Sequence, residues 1–109
     1  SGGQRRRADI ARGLINSPEI LYLDEPTTGL DPMTRKKVWE VVDNIRKTAG
    51  TTVFLTTHYM EEAEELSDRI GIMKDGCLLT VGSAGEIKEG TGKERLEDAF
   101  IAIVKGERK

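Results

Sequence analysis

The sequence predicts an α/β fold: parallel strands with flanking helices, followed by a C-terminal β-hairpin and further helices. Three observations predict it. Ile20-Leu21-Tyr22-Leu23 is an unbroken apolar run that leads straight into Asp24-Glu25-Pro26. Apolar character at every position suits a strand covered on both faces, as in parallel sheets. A second run, Thr51-Thr52-Val53-Phe54-Leu55-Thr56, is β-branched and aromatic, and a whole helix separates it from the first, which makes the pair parallel. Finally, Lys74-Asp75-Gly76-Cys77 interrupts two short apolar stretches with the Asp-Gly pair of a tight hairpin.

The elements follow in chain order. Ser1 to Gln4 precede a helix expected from about Gln4 to Asn16, with Ala8, Ala11, Leu14 and Ile15 as its apolar stripe; Ser17-Pro18 stops it. Arg5, Arg6 and Arg7 oppose the helix dipole. They read either as a solvated basic face or as an anion-facing helix start.

After the first strand, Asp31 is an N-cap and Pro32 the first residue of a helix to about Ala49, with Val38, Val41, Val42 and Ile45 inward and Gly50 as its stop. Trp39 lies beside that stripe as a packing residue. His58 follows the second strand. Ligands of open α/β sheets gather beyond the carboxyl ends of the strands, so His58 shares one sheet edge with Asp24 and Glu25.

Tyr59 to Ser67 reads as an acidic helix with Met60, Ala63 and Leu66 inward and Glu61, Glu62, Glu64 and Glu65 on a solvated face. The hairpin strands are Arg69 to Met73 and Leu78 to Val81, with Cys77 packing beside the turn. Ser83 and Glu86 form a capping box for a helix ending near Gly90. A last helix from about Lys93 to Val104 puts Leu96, Ala99, Phe100 and Ile103 on one face.

With 109 residues the chain is expected to form one small domain. Its 19 acidic and 17 basic side chains leave a net charge of -2 and no basic patch, which argues against a nucleic-acid partner. The single cysteine excludes an internal disulfide and favours an intracellular setting. There is no signal peptide, and no apolar run approaches the roughly 18 residues of a membrane span. The opening Ser1-Gly2-Gly3-Gln4, without initiator methionine or leader, reads as a chain cut from something longer.

Taken together, the motifs resemble the C-terminal half of the nucleotide-binding domain of ATP-binding cassette (ABC) transporters. Ser1-Gly2-Gly3-Gln4 matches the family signature less its leading leucine, and Leu21-Tyr22-Leu23-Asp24-Glu25-Pro26 matches Walker B. Thr28-Gly29-Leu30-Asp31 is similar to the D-loop and Thr56-Thr57-His58 to the H-loop. Leu96-Glu97-Asp98-Ala99-Phe100 looks like the drug- and lipid-exporter branch.

The resemblance implies part of a RecA-like P-loop NTPase core, with signature helix, Walker B, D-loop and H-loop over residues 1–58 and hairpin and helices over 59–109. It implies ATP and Mg²⁺ as cofactors. Asp24 would hold Mg²⁺ through water, Glu25 would be the general base, and His58 would contact the γ-phosphate. Asp31 would communicate across a dimer interface. Ser1, Gly2, Gly3 and Gln4 would face the γ-phosphate of ATP held by a second ATPase subunit. A transmembrane permease subunit would be the other partner, with the chain cytoplasmic and peripheral on the inner face of the membrane.

One departure matters: no Gly-x-x-x-x-Gly-Lys-Ser/Thr occurs in these 109 residues. The chain alone is therefore expected neither to bind ATP tightly nor to hydrolyse it. Exposed strand edges and apolar faces predict self-association, against which a monodisperse monomer in light scattering would count. Two other functions compete with an exporter ATPase: a non-transport ABC ATPase acting on ribosomes or DNA, and a non-catalytic dimerising module.

Overall fold

A computed structural model describes residues 2–14, 19–48 and 50–106. They form α1 (Gly2–Gly13), β1 (Ile20–Asp24), α2 (Pro32–Thr48), β2 (Thr52–Thr56), α3 (Met60–Leu66), β3 (Ile70–Lys74), β4 (Cys77–Gly82), α4 (Ala84–Thr91) and α5 (Leu96–Val104). Two compact units result, Ser1–His58 and Tyr59–Lys109.

In the first unit β1 and β2 pair in parallel, from Ile20 opposite Thr52 to Asp24 opposite Thr56. The covered face carries Leu21, 7% exposed, with Leu23, Val53 and Leu55 half-buried. The opposite face is open: Ile20, Tyr22 and Phe54 are 65%, 59% and 58% exposed. This corrects the expectation of a strand buried on both faces. Among the described residues of this unit the sheet has two strands, so the outer apolar side chains cover one another instead. Tyr22 and Phe54, register partners, stack with centroids 5.5 Å apart.

Helix α2 buries Val38, Trp39, Val42 and Ile45 as its i, i+1, i+4, i+7 face. Each such burial contributes about 1.5–3 kcal/mol. The Arg35 guanidinium lies 5.5 Å from the Trp39 ring centroid, which accounts for the indole as a packing residue.

Helix α1 differs from expectation in start and phase. It begins at Gly2, and its buried residues are Gly3 and Ile10, whereas Ala8 and Ala11 are exposed. Close approach to α2 sets this phase: a Cβ on Gly3 would come within 2.2 Å of Thr34 Cγ2. Only glycine fits there without displacement. Ile15 and the Ser17-Pro18 stop lie outside the described residues, as does Ser1.

The second unit closes a core of Ala63, Ile70, Ile72, Ile87, Leu96, Ala99 and Ile103. Strands β3 and β4 are antiparallel, with an irregularity between Ile72 and Met73. Asp75 and Gly76 both take positive φ, 51° and 78°, as a two-residue hairpin turn requires. Ser83 and Glu86 form the expected reciprocal box, Ser83 Oγ accepting from Glu86 N at 3.1 Å and Glu86 Oε1 from Ser83 N at 2.8 Å. Gly92, left-handed at φ 73°, caps the other end of α4.

Glu62 departs from the reading of a solvated acidic face, since it is fully buried. Its position explains this: on α3 it neighbours Ala63 and Leu66 of the inward face, both buried. No helix among the described residues is long and apolar enough to cross a membrane.

Candidate functional site

Chemistry-bearing residues gather where β1 and β2 end. Parallel pairing brings Asp24 opposite Thr56, so the last residues of both strands and whatever follows them emerge on one edge. Glu25 continues the ladder by one bond, its N–H donating to Thr56 O at 2.9 Å and also reaching Thr56 Oγ1 at 3.1 Å. The Thr56 hydroxyl donates in turn to Asp24 Oδ1 at 2.5 Å. One hydroxyl thus orients both acidic residues: its proton is committed to the Asp24 carboxylate and its lone pair to the Glu25 amide.

Glu25 itself is left-handed at φ 45°, an uncommon conformation for a residue with a side chain. Such backbone costs on the order of 1–3 kcal/mol and persists when its surroundings over-determine it. Here the turn aims the carboxylate at the next loop, where Glu25 Oε1 is hydrogen-bonded to His58 Nδ1. Both side chains remain accessible, 45% and 61% exposed, so the pair faces solvent and could meet a reactant.

The chain after Glu25 is closed by Thr28 N donating to Glu25 O (3.3 Å) and Leu30 N to Thr27 O (3.1 Å), with Thr27 fully buried. From α1, Arg6 Nη1 donates to Glu25 O at 3.2 Å and to Pro26 O at 2.5 Å.

Asp31 caps α2 as its sequence position predicts. Its Oδ1 accepts from Thr34 N at 2.8 Å, and that backbone donor, followed by the Thr34 hydroxyl, holds the carboxyl below its ordinary range. Gly2 and Gly3 open α1 beside this segment, a Cβ on Gly2 meeting Leu30 Cδ2 at 3.2 Å, and Gln4 is exposed. Asp24, Glu25 and His58 therefore lie at one sheet edge, where Glu25 meets His58 and Asp24 meets Thr56. Gly2, Gly3, Gln4 and Asp31 belong to the α1 start and the α2 cap.

Two residues beyond the sequence reading take part. Thr56 closes the second strand in the sequence, but counting the register from the expected starts, Ile20 and Thr51, puts Leu55 opposite Asp24; the observed pairing begins one residue later, at Thr52. Arg6 was hidden within a run of three arginines.

The donor set fits a hard cation held mostly by others. No group of three or more His, Cys, Asp or Glu able to hold a metal exists among the described residues. Asp24 offers an exposed carboxylate at a strand end. Mg²⁺ commonly uses one or two carboxylates and fills its shell with water and phosphate oxygens, so this arrangement suits it.

The ABC transporter family model matches residues 1–28. The daunorubicin resistance ATP-binding protein DrrA3 of Streptomyces coeruleorubidus is 52% identical over 97 residues, which cover 89% of this chain and 30% of the relative. The chain thus spans under a third of that relative's length. Among solved structures, cbiO1 of Clostridium perfringens, part of the ABC transporter complex cbiONQ, superposes with a TM-score of 0.75 at 34% identity, over 82% of this chain and 36% of that one. The ATP-binding cassette MJ0796, solved as a dimer in a post-hydrolysis state bound to ADP and Pi, superposes with a TM-score of 0.66 at 36% identity, over 76% and 35%.

Proposed function

This stretch of chain is homologous to the ATP-binding domains of ABC transporters, and from that premise we propose that it carries the hydrolytic carboxylate of an ATPase coupled to transmembrane export. The observation that supports this best is the Glu25–His58 hydrogen bond beside Asp24, at the carboxyl ends of adjacent parallel strands.

In this reading Glu25 is the general base. One carboxylate oxygen is engaged by His58, and the other is left to accept a proton from the attacking water. His58 fixes the direction of that carboxylate through Nδ1, so the rigid ring turns Nε2 away from Glu25. From there the ring would contact the γ-phosphate. Asp24, steadied by the Thr56 hydroxyl, would hold Mg²⁺ through water. The cation, when bound, supplies charge neutralisation at the phosphates.

Gly2, Gly3 and Gln4, with Ser1 outside the described residues, would face the γ-phosphate of ATP in a second ATPase subunit, and Asp31 would lie at that dimer interface. A transmembrane permease at the inner face of the membrane would be the other partner. Self-association of the 109 residues through the open face of Ile20, Tyr22 and Phe54 belongs to the same reading.

A chimera tests it. These residues replace the matching segment of the Streptomyces coeruleorubidus DrrA3 protein, which supplies the rest of an ATP-binding protein. The chimera is expected to hydrolyse Mg-ATP, and Glu25→Gln to lower kcat by about 10²–10⁴-fold, the usual contribution of a general base. Full turnover by the Gln variant would sink the assignment, whereas magnesium-dependent turnover by the 109 residues alone would refute the separate expectation that they are inactive by themselves.

A further inference from the structure

We propose that Arg6 is a positioning residue for Glu25, tying the glycine-led helix α1 to the turn that carries the carboxylate; this rests on the reading of Glu25 as the base. Arg6 stands in a basic run, but its guanidinium is not directed to an acidic partner in the site. Nη1 donates to two main-chain carbonyls, Glu25 O at 3.2 Å and Pro26 O at 2.5 Å. The side chain is half-buried on the face it shares with Gly3 and Ile10. An arginine there is explained by what it holds.

The turn needs holding. Glu25 is left-handed at φ 45°, and the bonds from its N–H to Thr56 fix only the peptide that enters it. The peptides that leave Glu25 and Pro26 are oriented by their carbonyls, and those carbonyls accept the charged donor from α1. Charge-assisted hydrogen bonds are roughly twice as strong as neutral ones. Arg6 therefore completes the set of restraints under which a side chain tolerates this backbone and remains aimed at His58.

The test uses Arg6→Met, which keeps the alkyl stem and helix propensity but removes the donors, and Arg6→Lys, which restores a charged donor. In amide hydrogen exchange followed by NMR on the 109-residue chain, Glu25 and Thr28 are expected to exchange about tenfold faster in Arg6→Met, the order expected for losing a hydrogen bond. Amides of Leu21 to Leu23 and Val53 to Leu55 should keep their rates, and Arg6→Lys should recover most of the protection. Uniform acceleration across the first unit, or no change at Glu25, overturns the proposal. Should the Met variant not fold, Arg6→Gln carries the same comparison, since its shorter neutral amide cannot span both carbonyls.

In the chimera, Arg6→Met should lower kcat about tenfold with KM for ATP unchanged, and should cost nothing further on a Glu25→Gln background. An additive loss there would mean that Arg6 acts elsewhere. If Glu25→Gln alone leaves turnover intact, the base assignment fails while the exchange result still judges the hold of Arg6 on the turn.

Discussion

The two units of this chain solve different problems with similar material. Residues 59–106 satisfy many local rules: a two-residue turn with both φ values positive, a reciprocal capping box, a left-handed glycine cap and an apolar core shared by α3, β3, α4 and α5, although Glu62 is buried and Met73 and Leu78 are exposed. Residues 1–58 break several. Their sheet leaves Tyr22 and Phe54 exposed, their first helix opens on glycines and arginines, and a glutamate occupies backbone that favours glycine. Departures of this kind concentrate where binding or chemistry is asked of a fold. The contrast separates a unit that follows local rules more closely from one that carries the candidate site residues.

The largest expected effect lies in the conforming unit. Leu96 is 2% exposed in the core of residues 59–109, and Leu96→Ala should cost about 2–5 kcal/mol by thermal or denaturant unfolding. Ile20→Ala, on the open face of the first unit, should fall within about 0.5 kcal/mol of the parent. Equal losses would erase the contrast in burial.

Next comes Gly3, where packing and phosphate recognition give different expectations. A methyl group there meets Thr34 Cγ2 at 2.2 Å, so Gly3→Ala should destabilise by about 1–3 kcal/mol. Thr34 Cβ stands 3.6 Å away, an ordinary contact, so adding Thr34→Ala should recover most of that loss. A double-mutant cycle in chemical denaturation reads the coupling. No recovery would mean that the glycine serves something other than the α1–α2 approach.

Glu25 supplies the reverse case, in which the site is expected to hold the fold below its best stability. Glu25→Gly relieves left-handed strain and loses only an exposed hydrogen bond, against the added entropy of glycine in the unfolded chain. The net expectation is a gain of about 1 kcal/mol in unfolding free energy together with loss of turnover in the chimera. A destabilised Gly variant would show that the carboxylate's contacts outweigh its backbone cost.

These residues also mark how far the sequence could be read. The hairpin, the Ser83 box and the Asp31 cap were legible because each depends on a few neighbouring residues, and the parallel pair because a whole helix separates its two strands. The common edge of Asp24, Glu25 and His58 was legible because the ends of parallel strands lie together. The phase of α1 was not, since a stripe counted from alanines cannot know that Thr34 approaches Gly3. Arg6 escaped for a related reason: a guanidinium that serves carbonyls 19 and 20 residues away has no local signature. The open face of β1 escaped as well, because an apolar run reports what a strand could bury and not how many elements cover it.

The smallest expected effect compares the two helix caps by pH. Thr34 N–H holds Asp31 below its ordinary value of 3.8, and Ser83 N–H holds Glu86 below 4.5. In both, the unfolded chain binds the proton more readily. The caps therefore stabilise fully above the ordinary carboxylate range, and that stabilisation is lost as pH falls through the depressed folded values. Asn and Gln still accept a cap hydrogen bond but do not titrate in this range, so Asp31→Asn and Glu86→Gln should flatten the acid limb of stability while changing little at neutral pH. Amide exchange resolved by unit would read the two caps separately, Asp31 through α2 and Glu86 through α4. If Asp31→Asn also lowers turnover of the chimera at neutral pH, where the cap is intact, then Asp31 does more than end a helix. That result would move it from the fold to the site.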